Sequence, residues 1–504
     1  MKTFKALGVI LTISGMMALS ACSGQPDPAN GTNGTNGTLR IGVSSIPTTL
    51  DPAQNFSLSQ TAIMGLVGGT LTNLAPDGKS VSMGLAESVT PGEKQYVVKL
   101  KPNLKFSDGS PLAASDVVAS FEHYRTDKTS GLDYAYAPIE KVTAVDELTV
   151  NFDLKRPYPA LEYAFAYGAS AILPAKSIQA RGQDLYKGDP LPTAGKYQVE
   201  TFDQNQIVLQ ANPNYAGQQP STKTLTFKQI ADPAARLAQV QGGQLDYTDE
   251  ISPQQVPQIS APVEAGTIRA ANGQTFLGMN NRDNSVLSDV RIRKAVSTAI
   301  DRAQVNQVAF AGQNQPSLGL FANASKNMRP FLKDKADVAA AKAMLAGTKC
   351  ADGCTLRFIA ASDDGTNGDI ALVVQQNLKA IGIDVTIEKA EKTVVSQYAT
   401  EGNYDLRVTG SYEQTDDAGF YTSFTLGPVI KALRTGYANP EMSQLIETVQ
   451  TTTGSTRESA VNQVNALFQK DLPMAPIADF MVLSASRVPA ETFSLDPTYY
   501  YHIG

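Results

Sequence analysis

The sequence predicts an α/β protein of two or three domains, and three observations carry that prediction. Leu356–Ala360, Asp369–Ala380 and Val385–Ile387 read as a strand, a helix and a strand, with Gly382 after the helix. Such a unit implies a right-handed crossover between parallel strands. Strand-like alternation recurs along the chain from Leu39 to Leu483, interleaved with helical runs. A chain of 504 residues is also too long for one hydrophobic core.

The chain opens with Lys2 and Lys5, then a mostly apolar run from Ala6 to Leu19, and then Leu19-Ser20-Ala21-Cys22. The run is shorter than the roughly 20 residues that span a bilayer, so it reads as a secretory signal peptide over residues 1–21. Its last four residues resemble the bacterial lipobox. That resemblance implies cleavage before Cys22, lipidation of the Cys22 sulfur and export. Residues 22–38 continue with Pro26, Pro28 and three Asn-Gly-Thr repeats at Asn30, Asn33 and Asn36. They form a flexible tether, with a reach of roughly 20 Å.

Folded sequence begins at Leu39, Ile41 and Val43, which alternate as in a half-buried strand. Further strands are predicted at Tyr96–Leu100, Leu148–Leu154, Leu225–Ile230, Phe276–Asn280 and Ile477–Leu483, and a hairpin at Tyr197–Phe202 and Gln206–Gln210. Helices are predicted over Ser115–Tyr124, after the Asp232-Pro233 start, after Ser288-Asp289, after Asp301, and over Pro440–Val449 and Ser455–Phe468. An irregular tail follows Leu483.

Composition narrows the function. A net charge of −6 without a basic run argues against nucleic acid, and no later apolar segment is long enough to cross a membrane. Beyond Cys22 only Cys350 and Cys354 remain. They flank the turn signal Asp352-Gly353, so a disulfide is expected in an oxidising compartment. The histidines are His123 and His502, far apart in sequence, so no metal site is expected; His123 reads as a surface residue. Gly78-Lys79-Ser80 lacks the glycine five residues earlier that a phosphate loop needs. There is no Gly-x-Ser-x-Gly or Ser-x-x-Lys motif, so neither an enzyme nor a cofactor is expected.

Five segments, in order, resemble the peptide/nickel group (family 5) of solute-binding proteins of bacterial ABC importers. They are Tyr96-Val-Val-Lys-Leu-Lys-Pro-Asn-Leu-Lys-Phe106-Ser-Asp108-Gly109-Ser-Pro111 followed by Asp116-Val117, Asn212-Pro213-Asn-Tyr215, Asp232-Pro-Ala-Ala-Arg236, Asp289-Val-Arg291-Ile-Arg293-Lys-Ala295 through Ala299-Ile-Asp301-Arg302, and Asn377-Leu-Lys-Ala-Ile-Gly382-Ile-Asp-Val. The resemblance covers about residues 39–490. It implies a two-lobe hinged periplasmic-binding-protein fold (class C type) with an extra domain inserted in lobe I. Lobe I would comprise 39–58, 187–278 and 479–504, the inserted domain 59–186 and lobe II 279–478. The crossovers would fall near Phe276–Asn281 and Ala475–Phe480.

The function implied is capture of a small solute, a short peptide first of all, between the lobes and its delivery to the membrane subunits of an ABC importer by a monomeric, lipid-anchored protein. An oligosaccharide, an opine-like compound or a chelated metal is the alternative; a ligand sensor and a secreted hydrolase rank below it. In peptide-binding relatives an acidic residue after the strand–helix–strand unit pairs with the peptide's amine. Here that segment is Thr409 to Asp417, without the relatives' Trp near Ser411 or their Ala-Asp-Tyr near Glu413-Gln414-Thr415. Gly410, Ser411, Tyr412, Glu413, Gln414, Asp416 and Asp417 are therefore the first candidates for ligand contact, with an amine clasp at Glu413, Asp416 or Asp417, or none. A helix cap at Asp416-Asp417 explains the acids equally well. Asn55, Phe56 and Ser57, and Asn280 and Asn281 at the expected hinge, complete the candidate set. Tyr134 and Tyr136 read as packing residues.

Overall fold

The computed structural model describes residues 37–51, 53, 58–126, 133–186, 190–362, 364–427 and 431–504. Most of the large strands form one ten-stranded sheet. Its order is Ile383–Ala390, Cys354–Ala361, Leu406–Glu413, Glu264–Met279, Met474–Ser486, Tyr247–Thr248, Thr38–Val43, Thr224–Gln229, Gln206–Ala211 and Tyr197–Phe202. The strand–helix–strand unit pairs in parallel, Leu356 opposite Val385. Its helix, Gly365–Lys379, starts a turn earlier than the periodicity predicts because Asp364 caps it through the Asn367 amide.

Three large apolar cores organise the described residues. One gathers Leu39, Ile41, Leu209, Leu225 and Phe227 with Phe493 and Tyr501 of the tail, and the helix Leu58–Val67 packs into it. A second surrounds the four-stranded sheet of Ala86–Pro91, Gln95–Leu100, Thr149–Leu154 and Ile139–Ala144, where Phe121 meets Phe152 and Phe165 edge-on. The third runs from Phe276 to Ala478. Phe420, carried by the third body, is buried in the second core against Tyr158 and Tyr167, so the cores interlock.

The two long strands Glu264–Met279 and Met474–Ser486 join the first and third bodies. Glu264–Arg269 pairs with Met481–Ser486, and Gln274–Gly278 pairs with Met474–Asp479. Between those ladders the register breaks, leaving Ala270 to Gly273 without partners on that side. The strand expected at Phe276–Asn280 is thus the end of a 16-residue one. Gly266, Asn272 and Gly273 are poor strand formers; the neighbouring strands impose extension on them. The tail also differs from expectation: Phe493–Leu495 and Tyr501–Ile503 form a small antiparallel ladder against Phe227 and Tyr247.

The arginines of the resemblance motifs are buried clamps. Arg302 donates to the carbonyls of Pro476, Ser297, Ile300 and Lys333 and to the Ser297 hydroxyl. Arg293 holds the carbonyls of Leu287, Ser288, Asp471 and Leu472, and Arg236 those of Ile230, Ala231 and Glu250. A guanidinium offers five donors in a fixed fork, which suits converging chain ends. Burial lowers the Arg302 pKa to about 10, which leaves it charged at neutral pH. Cys350 and Cys354 are joined as a disulfide before the strand Cys354–Ala361.

His123 is a correction. Its side chain is only 9% exposed, with Nε2 at 3.2 Å from Asp51 Oδ1, so it is packed inside rather than on the surface. The helix Ala114–Thr126 turns that edge toward Asp51, a long-range neighbour that helical periodicity cannot reveal.

Candidate functional site

The seam where the three bodies meet is floored by the broken-register strand. Asn272 lies directly opposite Glu413 and Gln274 opposite Ser411. Opposite residues of an antiparallel ladder share a face, so these four side chains form one polar layer. Tyr167 donates from its hydroxyl to Glu413 Oε2 at 2.7 Å, reaching from the second body to the floor. Tyr421 donates to Gln274 Oε1 at 3.1 Å, and Ser411 and Thr425 share a hydroxyl contact of 2.7 Å. The Gln274 amide donates to Ser317 and to the carbonyls of Gly319 and Phe321, fixing a loop across the floor.

The same loop is held at two more points. Asn272 Oδ1 accepts from the Ala322 amide at 3.2 Å, and the Asp479 carboxylate accepts from the Asn323 amide at 3.3 Å. Asp479 stands opposite Gln274 on the other side. It is 3% exposed, and burial pushes its pKa up to about 6. Asn272 is fully buried, and its Nδ2 has no hydrogen-bond partner among the described residues. A buried amide donor left without a partner costs stability, so it is informative.

The turn that follows is occupied differently. Gln414 donates to the Thr498 carbonyl at 2.9 Å and accepts from the Tyr500 hydroxyl at 3.3 Å. Asp416 accepts from the Ser325 hydroxyl and, at 3.1 Å, from the Lys326 amide, while its own amide donates to the Gly78 carbonyl. Burial raises the Asp416 pKa, and those two bonds oppose the rise. Asp417 caps the helix Ala418–Thr425 through the amides of Gly419 and Phe420, and it pairs with Arg457 at 2.7 Å. On the opposite face Tyr412 stacks on Phe480 at 5.4 Å, with Tyr499 at their edges. Gly410 is exposed.

Asn280 and Asn281 lie at the far end of the strand. Asn280 donates to the carbonyls of Gly402 and Tyr404, and Asn281 to those of Met279 and Pro473. Asn281 also lines a cavity of about 490 Å³ with Arg282, Arg293, Tyr437 and Asp471. That hollow is remote from the seam, and of its two acids, Asp283 and Asp471, the second already accepts from Tyr437 and Asn439. Asn55, Phe56 and Ser57 lie outside the described residues. Tyr136 is buried against Ser170, and the Tyr134 side chain is also outside the description.

The residues that sequence reasoning missed are Tyr167, Asn272, Gln274, Asp479 and Tyr500. Asn272-Gly273 carries the signal of a turn, which hid its place inside a strand. Asp479 sits in an apolar strand reading, where one acid looks like an interruption. Among the described residues there is no cluster of His, Cys, Asp and Glu that would hold a metal ion. No helix among them is long and apolar enough to cross a membrane.

Bodies joined by two long strands have the geometry of a hinged protein. The sequence matches the model of the bacterial extracellular solute-binding proteins, family 5, over residues 80–431, and the chain belongs to that family. It is similar to the probable D,D-dipeptide-binding periplasmic protein DdpA of Escherichia coli, 26% identical over 446 residues that cover 84% of each chain. Among solved structures it resembles NikA from Brucella suis in complex with Fe(III)-EDTA, with a TM-score of 0.81, 18% identity, and coverage of 93% of this chain and 100% of that one. DppA from Helicobacter pylori in complex with the peptide STSA gives a TM-score of 0.78 at 17% identity, covering 92% and 98%. The fold is therefore the two-lobe hinged solute-binding fold with a domain inserted in lobe I, as the sequence predicts.

Proposed function

We propose that this protein captures a short peptide between its lobes outside the cytoplasmic membrane and delivers it to an ABC importer. The observation that carries this reading is the buried polar floor of the seam, Asn272, Glu413 and Asp479, which contacts loops and helices of both sides. A ligand can drive closure only by binding the closed state better, which requires groups on both sides of a hinge. The strands Glu264–Met279 and Met474–Ser486 supply the hinge, with lobe I at 39–58, 187–278 and 479–504, the inserted domain at 59–186 and lobe II at 279–478. The helix Leu58–Val67 rides on the lobe I core. Cys22 carries the lipid after removal of residues 1–21, and the residues from Cys22 up to the strand that begins at Thr38 are the leash that keeps the loaded protein near its importer. The protein works as a monomer without a cofactor or catalytic activity.

Native mass spectrometry of protein purified without refolding tests this. A ladder of co-purified short peptides is the expected result. An oligosaccharide, opine-like compound or chelated metal in its place would reject the peptide reading while keeping the family. Turnover of the bound species during incubation would argue for a hydrolase.

A further inference from the structure

The turn that joins Leu406–Glu413 to Ala418–Thr425 is gripped from both of the other bodies. From the first body comes the C-terminal turn of residues 496–500. Gln414 Nε2 donates to the Thr498 carbonyl at 2.9 Å, and Gln414 Oε1 lies 3.3 Å from the Tyr500 hydroxyl. That hydroxyl also accepts from the Gly168 amide and lies 3.2 Å from the Ala166 carbonyl, both in the second body. The same turn reaches the hinge, where Ala271, in the break of register, donates its amide to the Pro497 carbonyl at 2.9 Å. Asp496 shapes the turn, one carboxylate oxygen accepting from the amides of Thr498 and Tyr500. Tyr499 is held at a φ of +62°, a conformation that a tyrosine takes only where its surroundings impose it.

From the second body comes the tip of the hairpin formed by Thr72–Leu74 and Val81–Met83. Its Gly78 carbonyl accepts from the Asp416 amide at 2.9 Å. Gly78 is buried at a φ of +69°, and a Cβ there would stand 2.5 Å from the Gln414 carbonyl oxygen and 2.6 Å from the Ala271 Cβ. The Gly78-Lys79-Ser80 stretch, which fails as a phosphate loop, thus supplies the one residue type that fits this contact. We propose that residues 414–416 form a closure latch, gripped by the C-terminal turn and the hairpin tip while the seam is shut and released by both as the hinge opens. Each of these bonds to Gln414 and Asp416 crosses between bodies, so it weighs on the closed state alone. Both grips also meet at Ala271, so releasing one loosens the other. Gln414 and Asp416 then hold the lobes together rather than touch a solute, whichever solute the seam takes.

Hydrogen exchange of the full protein, read by mass spectrometry, tests the latch without any ligand. Tyr500→Phe removes a bond from the C-terminal side only. Exchange across residues 414–417 and around Gly78 should then rise about fivefold, the weight of one lost hydrogen bond, while the strand Cys354–Ala361 keeps its wild-type rate. Gly78→Ala acts from the other side and should speed exchange at Ala271 and through 496–500 by a similar factor. A change confined to the substituted element overturns the proposal, because the two grips are then independent contacts. An equal rise in Cys354–Ala361 overturns it too, since the whole fold is then loosened. Should Tyr500→Phe not fold, Gln414→Ala removes the same bonds from the third body, and unchanged exchange around Gly78 in that variant would reject the latch.

Discussion

Arg302 and Asp479 are both buried charges without an ion-pair partner among the described residues, and they are treated in opposite ways. Arg302 is 2% exposed and spends its guanidinium on four carbonyls and a hydroxyl. Asp479 is 3% exposed and receives one amide at 3.3 Å. The first joins the returning hinge strand to the lobe II core and leaves nothing for a ligand. The second leaves a charge unanswered where the lobes meet. A buried charge that is fully bonded is architecture; one left short costs stability.

Removing the Arg302 donors should have the largest effect. Arg302→Ala strands buried carbonyls and should cost about 3–5 kcal/mol in urea unfolding of lobe II. A loss below about 1 kcal/mol would break the contrast, because the clamp would then be dispensable.

Asp479 should show the opposite sign. Its folded pKa of about 6 lies above the ordinary 3.8, so the native state holds the proton longer than the unfolded chain. Stability is then fully present below the unfolded value and is lost as pH rises through about 6. Asp479→Asn should remove that slope and gain on the order of 2 kcal/mol at neutral pH in ligand-free protein. An unchanged slope between acid and neutral pH would show that the carboxylate is not the strained group.

Asp417 is the intermediate case, a buried acid that is answered. Asp417→Asn keeps the cap and loses the Arg457 pair, for about 1 kcal/mol by thermal unfolding, and it should leave peptide affinity unchanged. At the rim, Arg156 meets Gln450 and the half-exposed Glu447 across the seam. Arg156→Ala should change ligand affinity by less than about 0.5 kcal/mol, read by titration calorimetry, because an exposed pair is screened.

Local pattern made much of this fold legible. Asp232-Pro233, Asp289 and Asp301 were readable as helix starts because caps act within three residues, and each caps its helix in the structure. The parallel strand–helix–strand unit followed from period and length alone. The 409–417 segment was readable as a place of interest only through the family resemblance, which places an amine-binding acid after the strand–helix–strand unit. What each acid does was not readable, since Ser325, Arg457 and Tyr167 arrive from distant parts of the chain.

The sequence by itself determined the α/β class and several helix starts, and through the family resemblance the two-lobe plan, because these rest on contacts between near neighbours and on motifs kept in order. Only the tertiary structure decided that Asn272-Gly273 is strand rather than turn, that His123 is inside, and that the hinge strand carries the unanswered acid. Pairing with Leu406–Glu413 holds Asn272 extended, and the strand and loop packed around Asp479 remove its water. Burial and pairing of that kind are properties of what packs around a residue, and no window of sequence contains them.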